Sequence, residues 1–353
     1  MPKLEPESWP VVKRLLAHDR KMEHQWDEFV MACPNASFFH RSGWQKIVLD
    51  IFHHTTYFMY AEVEGVIQGV LPLAHVKSWL FGHSLVSLPF AVYGGVASQQ
   101  SAAIQALELE AQRLAKRLGV AHLELRNTKK MHSDWPLQDL YVTFRKEIFP
   151  DVSENMNAIP RKQRAMIRKG IKNGLTSHLD TGIDTFFRLY SENVHRHGTP
   201  AMSKRYFKAL RTEFISDCEI LTVLAPDGQA LSSVLSFYFK DEILPYYAGD
   251  VEASRFLAAN DFKYWELMCR ASERQVKVFD YGRSKVGTGS YSFKKNWGFE
   301  PQPLFYEYCL FNRKDIPRNN PSNAKFKWLI EAWRKMPIGL ANSLGPFVVR
   351  NFG

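Results

Sequence analysis

The segment 278–299 concentrates glycine, cationic and aromatic residues directly after an apolar stretch typical of a buried strand. Gly282, Gly287 and Gly289 allow the backbone to take positive φ angles and to approach a ligand closely. The cations of this segment are Arg283, Lys285, Lys294 and Lys295. Because backbone amides in such turns and nearby cations both favour negative charge, the segment predicts a site for an anionic ligand, such as a phosphate-bearing donor.

Two common phosphate-binding motifs do not fit this segment. A P-loop needs a lysine after its second glycine, but Thr288 follows Gly287. A dinucleotide-binding fingerprint opens a helix early in a βαβ unit, whereas Gly287-x-Gly289 lies late in the chain. The alternative to a binding site is a tight turn whose cations are only solvated.

Composition predicts a folded protein with more than one domain. The chain has 353 residues, of which 45% are hydrophobic and 14% aromatic, so it can bury a large core. The formal net charge is +10, from 46 Lys and Arg against 36 Asp and Glu. This charge suits a polyanionic partner, which includes RNA, a phosphorylated carrier and an anionic membrane surface.

The sequence gives no indication of a metal site or a disulfide framework. The 4 cysteines are far apart, with no Cys-x-x-Cys pair. His195-x-His197 and His53-His54 lack the further ligands of a zinc site. The N-terminus has no signal-peptide core and no apolar run is long enough to cross a membrane, so a cytoplasmic protein is expected.

The order of predicted elements repeats. Two strands joined by a tight turn are followed by a third strand, a helix and a fourth strand in each half of the chain. In the first half these elements are predicted at 57–63, 66–76, 83–88, 101–118 and 121–125. In the second half they are predicted at 219–225, 230–240, 243–249, 257–275 and 276–281. The pattern predicts an α/β (α+β) protein with two similar domains in tandem.

A basic helix is predicted between the two halves. Arg161, Arg164, Arg168 and Lys172 recur at helical spacing and form one cationic stripe. Ile167 and Ile171 are expected on an apolar face, and Asn173-Gly174 is a plausible helix end. The stripe is a candidate polyanion-binding surface, and the alternative is an ordinary solvated face.

Several motifs make the chain similar to the FemAB family, whose members contain two N-acetyltransferase-like (GNAT) domains. They are the segment 36–44 (ASFFHRSGW), the basic linker helix and the segment 289–294 (GSYSFK). The similarity is greatest to the FemAB-like branch that accompanies PEP-CTERM/exosortase and exopolysaccharide clusters, including the segments 279–290 and 294–301. The resemblance implies two GNAT-like domains, each with a mixed, mostly antiparallel sheet flanked by helices.

The predicted domain ranges follow from the repeat and this resemblance. They are an N-terminal extension at 1–20, a first GNAT-like domain at 21–150, a basic linker helix at 151–175, a second GNAT-like domain at 176–315 and an amphipathic tail at 316–353.

The resemblance also implies transfer of an acyl group to an amine. FemAB proteins take amino acids from aminoacyl-tRNA and attach them to peptidoglycan precursors, and Phe293-Lys294 falls on a Phe-Lys pair that contacts the donor. Lys294 would stabilise negative charge on the carbonyl or departing oxygen, and Phe293 would position the donor. The chain lacks the coiled-coil arm of some members, so an acyl thioester of coenzyme A or of a carrier protein is an alternative donor.

The remaining candidate residues follow from these expectations. Asp261 is a candidate acid or base, and its alternative role is to cap a helix. Tyr246, Tyr247 and Tyr264 are candidates for the acceptor site, and their alternative role is core packing. Candidate donor-binding residues are Arg283, Ser284, Lys285, Gly287, Thr288, Gly289, Tyr291 and Lys295. No tightly bound cofactor is expected, and the expected partners are an envelope-polymer or lipid-linked precursor and tRNA or an acyl carrier protein.

The tail predicts a helix that ends at Pro337. Leu329, Ile330 and Trp333 share one side with Phe326, and lysines and arginines lie nearby, as in helices that rest on anionic membranes. We therefore predict a peripheral membrane contact, with docking onto the protein body as the alternative. Two further functions stay open: a non-catalytic RNA-binding module, and a membrane-peripheral assembly factor of an exopolysaccharide or exosortase system.

Overall fold

The computed structural model describes residues 9–78, 82–317 and 324–351, with only the backbone described for 324–327. The chain divides into two compact units. Among the described residues, unit 1 comprises 9–78, 82–139, 304–317 and 350–351, and unit 2 comprises 140–303 and 324–349.

Each unit is organised around one mixed sheet. The strands, in chain order, are β1 (Val11–Arg14), β2 (Thr55–Val63), β3 (Val66–Ser78), β4 (Gly82–Ser87), β5 (Ala97–Ser98), β6 (His122–Asn127), β7 (Leu137–Gln138), β8 (Tyr141–Glu147), β9 (Thr176–Leu179), β10 (Cys218–Leu224), β11 (Ala230–Phe239), β12 (Glu242–Asp250), β13 (Val278–Asp280), β14 (Ser284–Lys285), β15 (Pro301–Pro303) and β16 (Phe305–Leu310).

Helices flank these sheets, and most present a buried apolar side to them. In chain order they are α1 (Arg20–Ala32), α2 (Gly43–Phe52), α3 (Ser101–Leu118), α4 (Val152–Ala158), α5 (Arg161–Lys172), α6 (Asp184–Arg196), α7 (Lys204–Glu213), α8 (Ser254–Leu257), α9 (Ala259–Glu273), α10 (Gly289–Asn296), α11 (Ala324–Lys335) and α12 (Ile338–Val349).

The two sheets have the same strand order. Unit 1 runs β1-β2-β3-β4-β6-β16, and unit 2 runs β9-β10-β11-β12-β13-β8. In both, the fourth and fifth strands are parallel and the other neighbours in these series are antiparallel. The connection between the parallel strands contains a long helix, α3 in unit 1 and α9 in unit 2, as is usual for a parallel crossover. The predicted tandem repeat is confirmed at the level of topology.

The sixth strand of each sheet comes from an unexpected part of the chain. β8 lies inside the predicted range of the first domain but pairs with β13 of unit 2. β16 lies inside the predicted range of the second domain but pairs with β6 of unit 1. The compact units therefore exchange their last strands relative to the predicted boundaries at 150 and 315.

A buried charge cluster holds β16 in unit 1. Glu307 on β16 is fully buried and accepts hydrogen bonds from the backbone amides of Met131 and His132, at 3.1 and 2.8 Å to Oε1. The His132 ring lies between Glu307 and Glu108, 3.4 and 3.2 Å from their oxygens, and stacks on Trp135. Although burial opposes its charge, the two carboxylates raise the pKa of His132 to about 9.

In unit 2 the helices cover both sides of the sheet. α9 packs on β10 and β11, and α5 packs on α9 at Gly170, where a Cβ atom would lie 2.8 Å from the Phe262 Cβ. α6 packs over β12 at Gly249, where a Cβ atom would lie 2.4 Å from the Tyr190 backbone. Gly249 pairs with Ser233, so both residues face α6. The neighbouring Ser232 faces the other side of the sheet, where it accepts a hydrogen bond from Lys263 on α9, so α6 and α9 lie on opposite sides. We refer to these as the α6 side and the α9 side.

The tail docks onto the α6 side. The predicted end of its first helix agrees with the structure, since α11 ends at Lys335 and a second helix, α12, begins after Pro337. His195 Nε2 on α6 lies 2.9 Å from the Met336 carbonyl oxygen, and Ile330 packs closely against Gly198. Ile330, which the sequence placed on the lipid-facing side, is therefore directed at Gly198, just after α6. The prediction for Lys325, Phe326 and Lys327 lies outside the described side chains.

No helix in the described part of the chain is long and apolar enough to cross a membrane.

Candidate functional site

The two parallel strands of unit 2 separate shortly after they begin to pair. Their pairing covers Glu242 with Val278 and Ile243 with Phe279. β12 continues to Asp250 along β11, with a bulge where the register passes from Pro245 to Tyr247. The following part of the chain, 281–285, instead follows β8. The carboxyl ends of these strands therefore diverge, which is where α/β proteins commonly place ligands.

Asp280 shapes the turn that leaves β13. Its carboxylate is fully buried, and it accepts a hydrogen bond from the Gly282 amide at 2.7 Å and one from Thr143 Oγ1 at 3.3 Å. Arg145 on β8 pairs with its second oxygen at 3.0 Å. Gly282 has a φ of +67°, which favours glycine. The turn is thus fixed by a buried anion at its amide side.

Lys294 fixes the same turn from its carbonyl side. Its buried ammonium donates to the carbonyl oxygens of Tyr281, Gly282 and Arg283, at 2.7, 2.9 and 3.1 Å. These bonds occupy the three N–H donors of the lysine. Burial lowers its pKa to about 8, although Asp280 opposes this shift. In this geometry Lys294 organises the turn rather than projecting a donor into open space.

The segment after this turn is helical rather than one continuous glycine-rich loop. α10 begins at Gly289, and Thr288 caps it by accepting a hydrogen bond from the Tyr291 amide. The Thr288 hydroxyl also donates to the Lys285 carbonyl at 2.7 Å. The sequence interpretation missed this helix because three glycines dominate the segment, while the Thr288 cap is a local signal that marks its start.

An aromatic cluster joins α10 to α9. The rings of Phe293 and Tyr264 lie 5.6 Å apart, and Tyr264 lies 4.9 Å from Tyr281. Trp297 completes the cluster at 6.0 Å from Phe293. The structure thus brings together the predicted donor-positioning residue Phe293 and the predicted acceptor residue Tyr264.

Asp261 connects three helices. Its Oδ1 accepts hydrogen bonds from Gln163 on α5, at 3.2 Å, and from Trp297 after α10, at 3.1 Å. Burial raises the pKa of its carboxyl group, although these two hydrogen bonds oppose the rise. The contacts describe a residue that holds α5, α9 and α10 together beside the site, and they do not bring it to Lys294.

The other predicted acceptor residues belong to a different cluster. Tyr247 lies on the α6 side, where its hydroxyl is 2.9 Å from that of Tyr206 and its ring packs on Phe207. Tyr246 lies at the bulge, 4.8 Å from the Tyr247 ring. Tyr247 and Tyr264 are therefore on opposite sides of the sheet, and the structure does not gather the three tyrosines around one point.

The predicted donor-binding residues divide into exposed and buried groups. Arg283 is exposed and lies over the Tyr141 ring at 4.5 Å, and Lys295 is exposed near Tyr291. Gly287 and Gly289 are exposed, and a Cβ atom at either would meet open space. Ser284 is buried, and its Oγ has no hydrogen-bond partner among the described residues. Lys285 is half-buried.

The cationic stripe of α5 lies on the α9 side, as α10 does. Arg161, Arg168 and Lys172 are exposed, whereas Arg164 is half-buried with a buried Nε that lacks a partner among the described residues. Ile167 is buried as predicted, but Ile171 is exposed, because the helix packs on α9 through Gly170 and Ile167. Three of the four predicted cations can therefore meet a polyanion.

Sequence reasoning missed Lys263. This residue is buried in the first turn of α9 and donates hydrogen bonds to Ser232 Oγ at 3.0 Å and Asn260 Oδ1 at 2.9 Å. Burial lowers its pKa to about 8, and Asp250 and Asp261 oppose the shift. A lysine in a helical sequence is usually exposed, so no local sequence signal could predict that Lys263 is buried.

Nothing in the described ranges forms a group of three or more His, Cys, Asp or Glu residues that could hold a metal ion.

Comparison with known proteins finds similarity to acyltransferases over part of the chain. The family model described as "Acetyltransferase (GNAT) domain" matches residues 161–295, which lie within unit 2. The UDP-N-acetylmuramoylpentapeptide-lysine N(6)-alanyltransferase of Weissella viridescens is 26% identical over 137 residues. That match covers 38% of this chain and 40% of the relative, so it spans less than half of either protein.

Solved structures extend the similarity of fold to both units. The crystal structure of FemX has a TM-score of 0.68 at 15% identity and covers 86% of this chain and 98% of its own. A tandem GNAT protein from the clavulanic acid biosynthesis pathway has a TM-score of 0.52 at 11% identity, over 87% and 100% of the two chains. The shared strand order, the GNAT match within unit 2 and the similarity to these solved structures show that the chain contains two GNAT-like folds in tandem.

Proposed function

We propose that the protein transfers an acyl or aminoacyl group to an amine of a cell-envelope precursor. The observation that carries this proposal is the turn at 281–283, which Asp280 and Lys294 fix beside the diverging ends of β12 and β13. A rigid backbone turn next to a gap in the sheet supplies the positioning that amine acylation requires. The similarity to an alanyltransferase over 137 residues supports the same chemistry.

The reaction needs no nucleophile from the protein. The acceptor amine attacks the carbonyl carbon of the donor, and a new C–N bond forms as the C–O bond of an ester, or the C–S bond of a thioester, breaks. The amine loses a proton, and the departing ribose hydroxyl or thiol gains one. In this proposal Lys294 and Asp280 hold the turn, while Phe293 and Tyr264 pack against the donor.

Aminoacyl-tRNA is the donor we favour. The exposed cations Arg161, Arg168 and Lys172 on α5 lie on the same side of the sheet as α10, so a bound RNA could contact both. Arg283 and Lys295 are exposed as well, and Lys295 lies on α10. An acyl thioester of coenzyme A or of a carrier protein is the second candidate donor, because such thioesters are the usual donors of GNAT domains.

The acceptor class follows from the relative and from the sequence resemblance. The Weissella viridescens enzyme is named for alanyl transfer to the lysine of a UDP-N-acetylmuramoylpentapeptide. We propose an amine of such a peptidoglycan-type precursor, or of an exopolysaccharide precursor in a PEP-CTERM/exosortase system, as the acceptor here.

A transfer assay tests the proposal. The purified chain is incubated with radiolabelled alanyl-tRNA or labelled acetyl coenzyme A, together with UDP-linked muropeptide or an extracted pool of envelope precursors. Label in an amide product, resistant to the mild base that cleaves esters and thioesters, supports the proposal. Absence of amide product with every donor and acceptor, from protein with a cooperative thermal transition, would contradict it and favour a non-catalytic RNA-binding or assembly role.

We also propose that the protein attaches weakly to the inner face of the membrane through its tail. Several large apolar side chains of α11 and α12 are exposed, which is unusual for a helix pair that only docks on the protein body. Removal of the residues after Asn320 should abolish binding to anionic vesicles. Equal binding of full-length and truncated proteins would exclude the tail as the anchor.

A further inference from the structure

α7 presents a cationic surface on the α6 side of unit 2. Tyr206, Phe207 and Leu210 are fully buried, so the opposite side of this helix faces solvent. A depression of about 750 Å³ lies beside it. Its charged lining residues are Asp184, Lys204, Arg205, Lys208 and Arg211. Four cations thus face one carboxylate, which makes the depression suitable for an anion.

Two of these cations already have partners, and two are available. Lys204 forms an ion pair with Asp184, and Arg211 donates to the Cys218 carbonyl oxygen at 3.0 Å. Arg205 and Lys208 are exposed, and neither forms an ion pair within the described residues. These two side chains are the ones that a ligand would meet first.

An apolar stripe of α12 lies on the same side of the unit. Leu340, Leu344 and Phe347 recur at helical spacing and are 50%, 40% and 62% exposed. α12 packs through its other side, where a Cβ atom at Gly345 would lie 2.7 Å from the Ala201 carbonyl oxygen. The sequence of α12 contains no Asp, Glu, Lys or Arg. This stripe is exposed apolar surface without charge of its own.

The chain connects the stripe to the cations. Ala201, on which α12 rests, is followed by Ser203, the cap of α7, and then directly by Lys204 and Arg205. Trp328 of α11 is 66% exposed, and the basic residues Arg334 and Lys335 are exposed at the end of that helix. Exposed apolar and exposed cationic side chains are therefore both present on the α6 side.

We infer that α7 and α12 form one surface that binds anionic phospholipid. Leu340, Leu344 and Phe347 enter the boundary of the acyl chains, and Arg205 and Lys208 bind the phosphates of the head groups. This inference rests on the proposed membrane attachment and extends it from the tail to a helix of unit 2. It leaves the reacting groups on the α9 side of the sheet.

The chemistry of the surface favours lipid over two other occupants. An RNA backbone would satisfy the cations but would leave the apolar stripe of α12 in water. A second copy of this chain, placed by twofold symmetry, would bring the same cations close to each other, and like charges destabilise such a contact. An anionic bilayer offers phosphates to the cations of α7 and acyl chains to the apolar stripe of α12.

A charge reversal on α7 tests this inference with the full chain. Binding is measured by cosedimentation with vesicles of phosphatidylglycerol and phosphatidylcholine, and with vesicles of phosphatidylcholine alone. The double variant Arg205→Glu/Lys208→Glu should bind the anionic vesicles on the order of thirtyfold more weakly, or weaker still. The reason is that each Lys or Arg at an anionic membrane surface adds to the binding free energy, and each Glu subtracts from it. Arg113→Glu/Arg117→Glu on α3 of unit 1 changes the charge equally and should lose less than about threefold.

Two outcomes would overturn the inference. Equal losses in the two double variants would show that only net charge matters. Unchanged vesicle binding by the α7 variant, with loss of binding to an RNA duplex, would assign the surface to RNA. Thermal denaturation checks that both variants fold. Transfer to a soluble acceptor should be unaltered in the α7 variant, so a failure of this inference is distinguishable from a failure of the proposed function.

Discussion

The two units differ in the chain segment that lies beyond their parallel strands and in the buried cation that holds it. In unit 1 the pairing of β4 with β6 covers Ser84–Val86, and the chain after β4 then runs alongside β6. Arg126 on β6 donates to the carbonyl oxygens of Leu88 and Ala91, at 3.2 and 2.8 Å. The Gly94 and Gly95 amides donate to the Arg126 carbonyl oxygen. The cation of unit 1 thus ties the segment 88–95 to β6.

In unit 2 a buried cation from a different element lies beside the gap. Lys294 comes from α10 and binds three carbonyl oxygens within the turn that follows β13. It shapes one edge of the gap instead of linking its two sides. The comparison teaches that a shared strand order does not fix where chemistry occurs. The hydrogen bonds of one buried cation in each unit decide whether the chain beside the parallel strands is held against β6, as in unit 1, or forms a fixed turn at the gap, as in unit 2.

The largest expected effect comes from removing the cation of unit 2. Lys294→Ala leaves three buried carbonyl oxygens without their donor and releases the turn, so transfer should fall on the order of a hundredfold or more. Single-turnover kinetics with the labelled donor measures this fall. Lys294→Arg, which keeps the charge but not the geometry, should recover only part of the activity. Turnover like that of wild type in folded Lys294→Ala would remove Lys294 from the proposed mechanism.

Two glycines sharpen the comparison next. At Gly95, in the segment along β6, a Cβ atom would lie 1.8 Å from Asn127 Oδ1, whereas at Gly289 it would meet open space. Gly95→Ala should lower the free energy of unfolding by about 2 to 3 kcal/mol. Gly289→Ala, the matched control in unit 2, should change it by less than about 0.5 kcal/mol. Urea denaturation measures both changes in the free energy of unfolding. Similar changes in the two variants would show that the segment 88–95 can shift to accommodate the added Cβ atom.

The charge cluster of unit 1 predicts a pH dependence of stability. The pKa of His132 is about 9 in the folded protein and near 6.5 when unfolded. The stabilisation is therefore complete below pH 6.5 and is lost as the pH rises through 9. Because the ring is 15% exposed, we expect about 2 kcal/mol, less than for a fully buried pair. His132→Gln should remove this part of the pH profile, and an unchanged profile would contradict the assignment.

The sequence predicted the repeat well because it depends on local patterns. Hairpins at Glu64-Gly65 and Pro226-Asp227-Gly228, and the long amphipathic helices that follow, are visible as alternation and helical spacing. The exchanged strands could not be predicted, because an alternating strand such as β8 fits the edge of either sheet. Pairing partners depend on contacts far apart in sequence.

The candidate site was predicted as a region but not as an arrangement. The segment 278–299 does contain the turn, the buried lysine and the exposed cations. Hydrogen bonds between residues far apart in sequence place Asp261 between Gln163 and Trp297, and Tyr247 beside Tyr206. Sequence spacing gives no information about such partners, so residue type alone suggested catalysis for Asp261 and acceptor contact for Tyr247.

The smallest effect we predict concerns Arg283, the exposed cation next to the fixed turn. If Arg283 contacts a donor phosphate, Arg283→Gln should raise the KM for the donor about tenfold and leave kcat nearly unchanged, since the contact is the same in ground and transition states. The slope of log KM against log salt concentration should also fall by about one for tRNA. Arg188→Gln on α6 removes an equally charged exposed side chain on the other side of the sheet and should change neither quantity. A fall in kcat with unaltered KM would instead mean that Arg283 supports the geometry of the turn through its position over Tyr141, and the comparison of the two units would then include a second cation that shapes the gap.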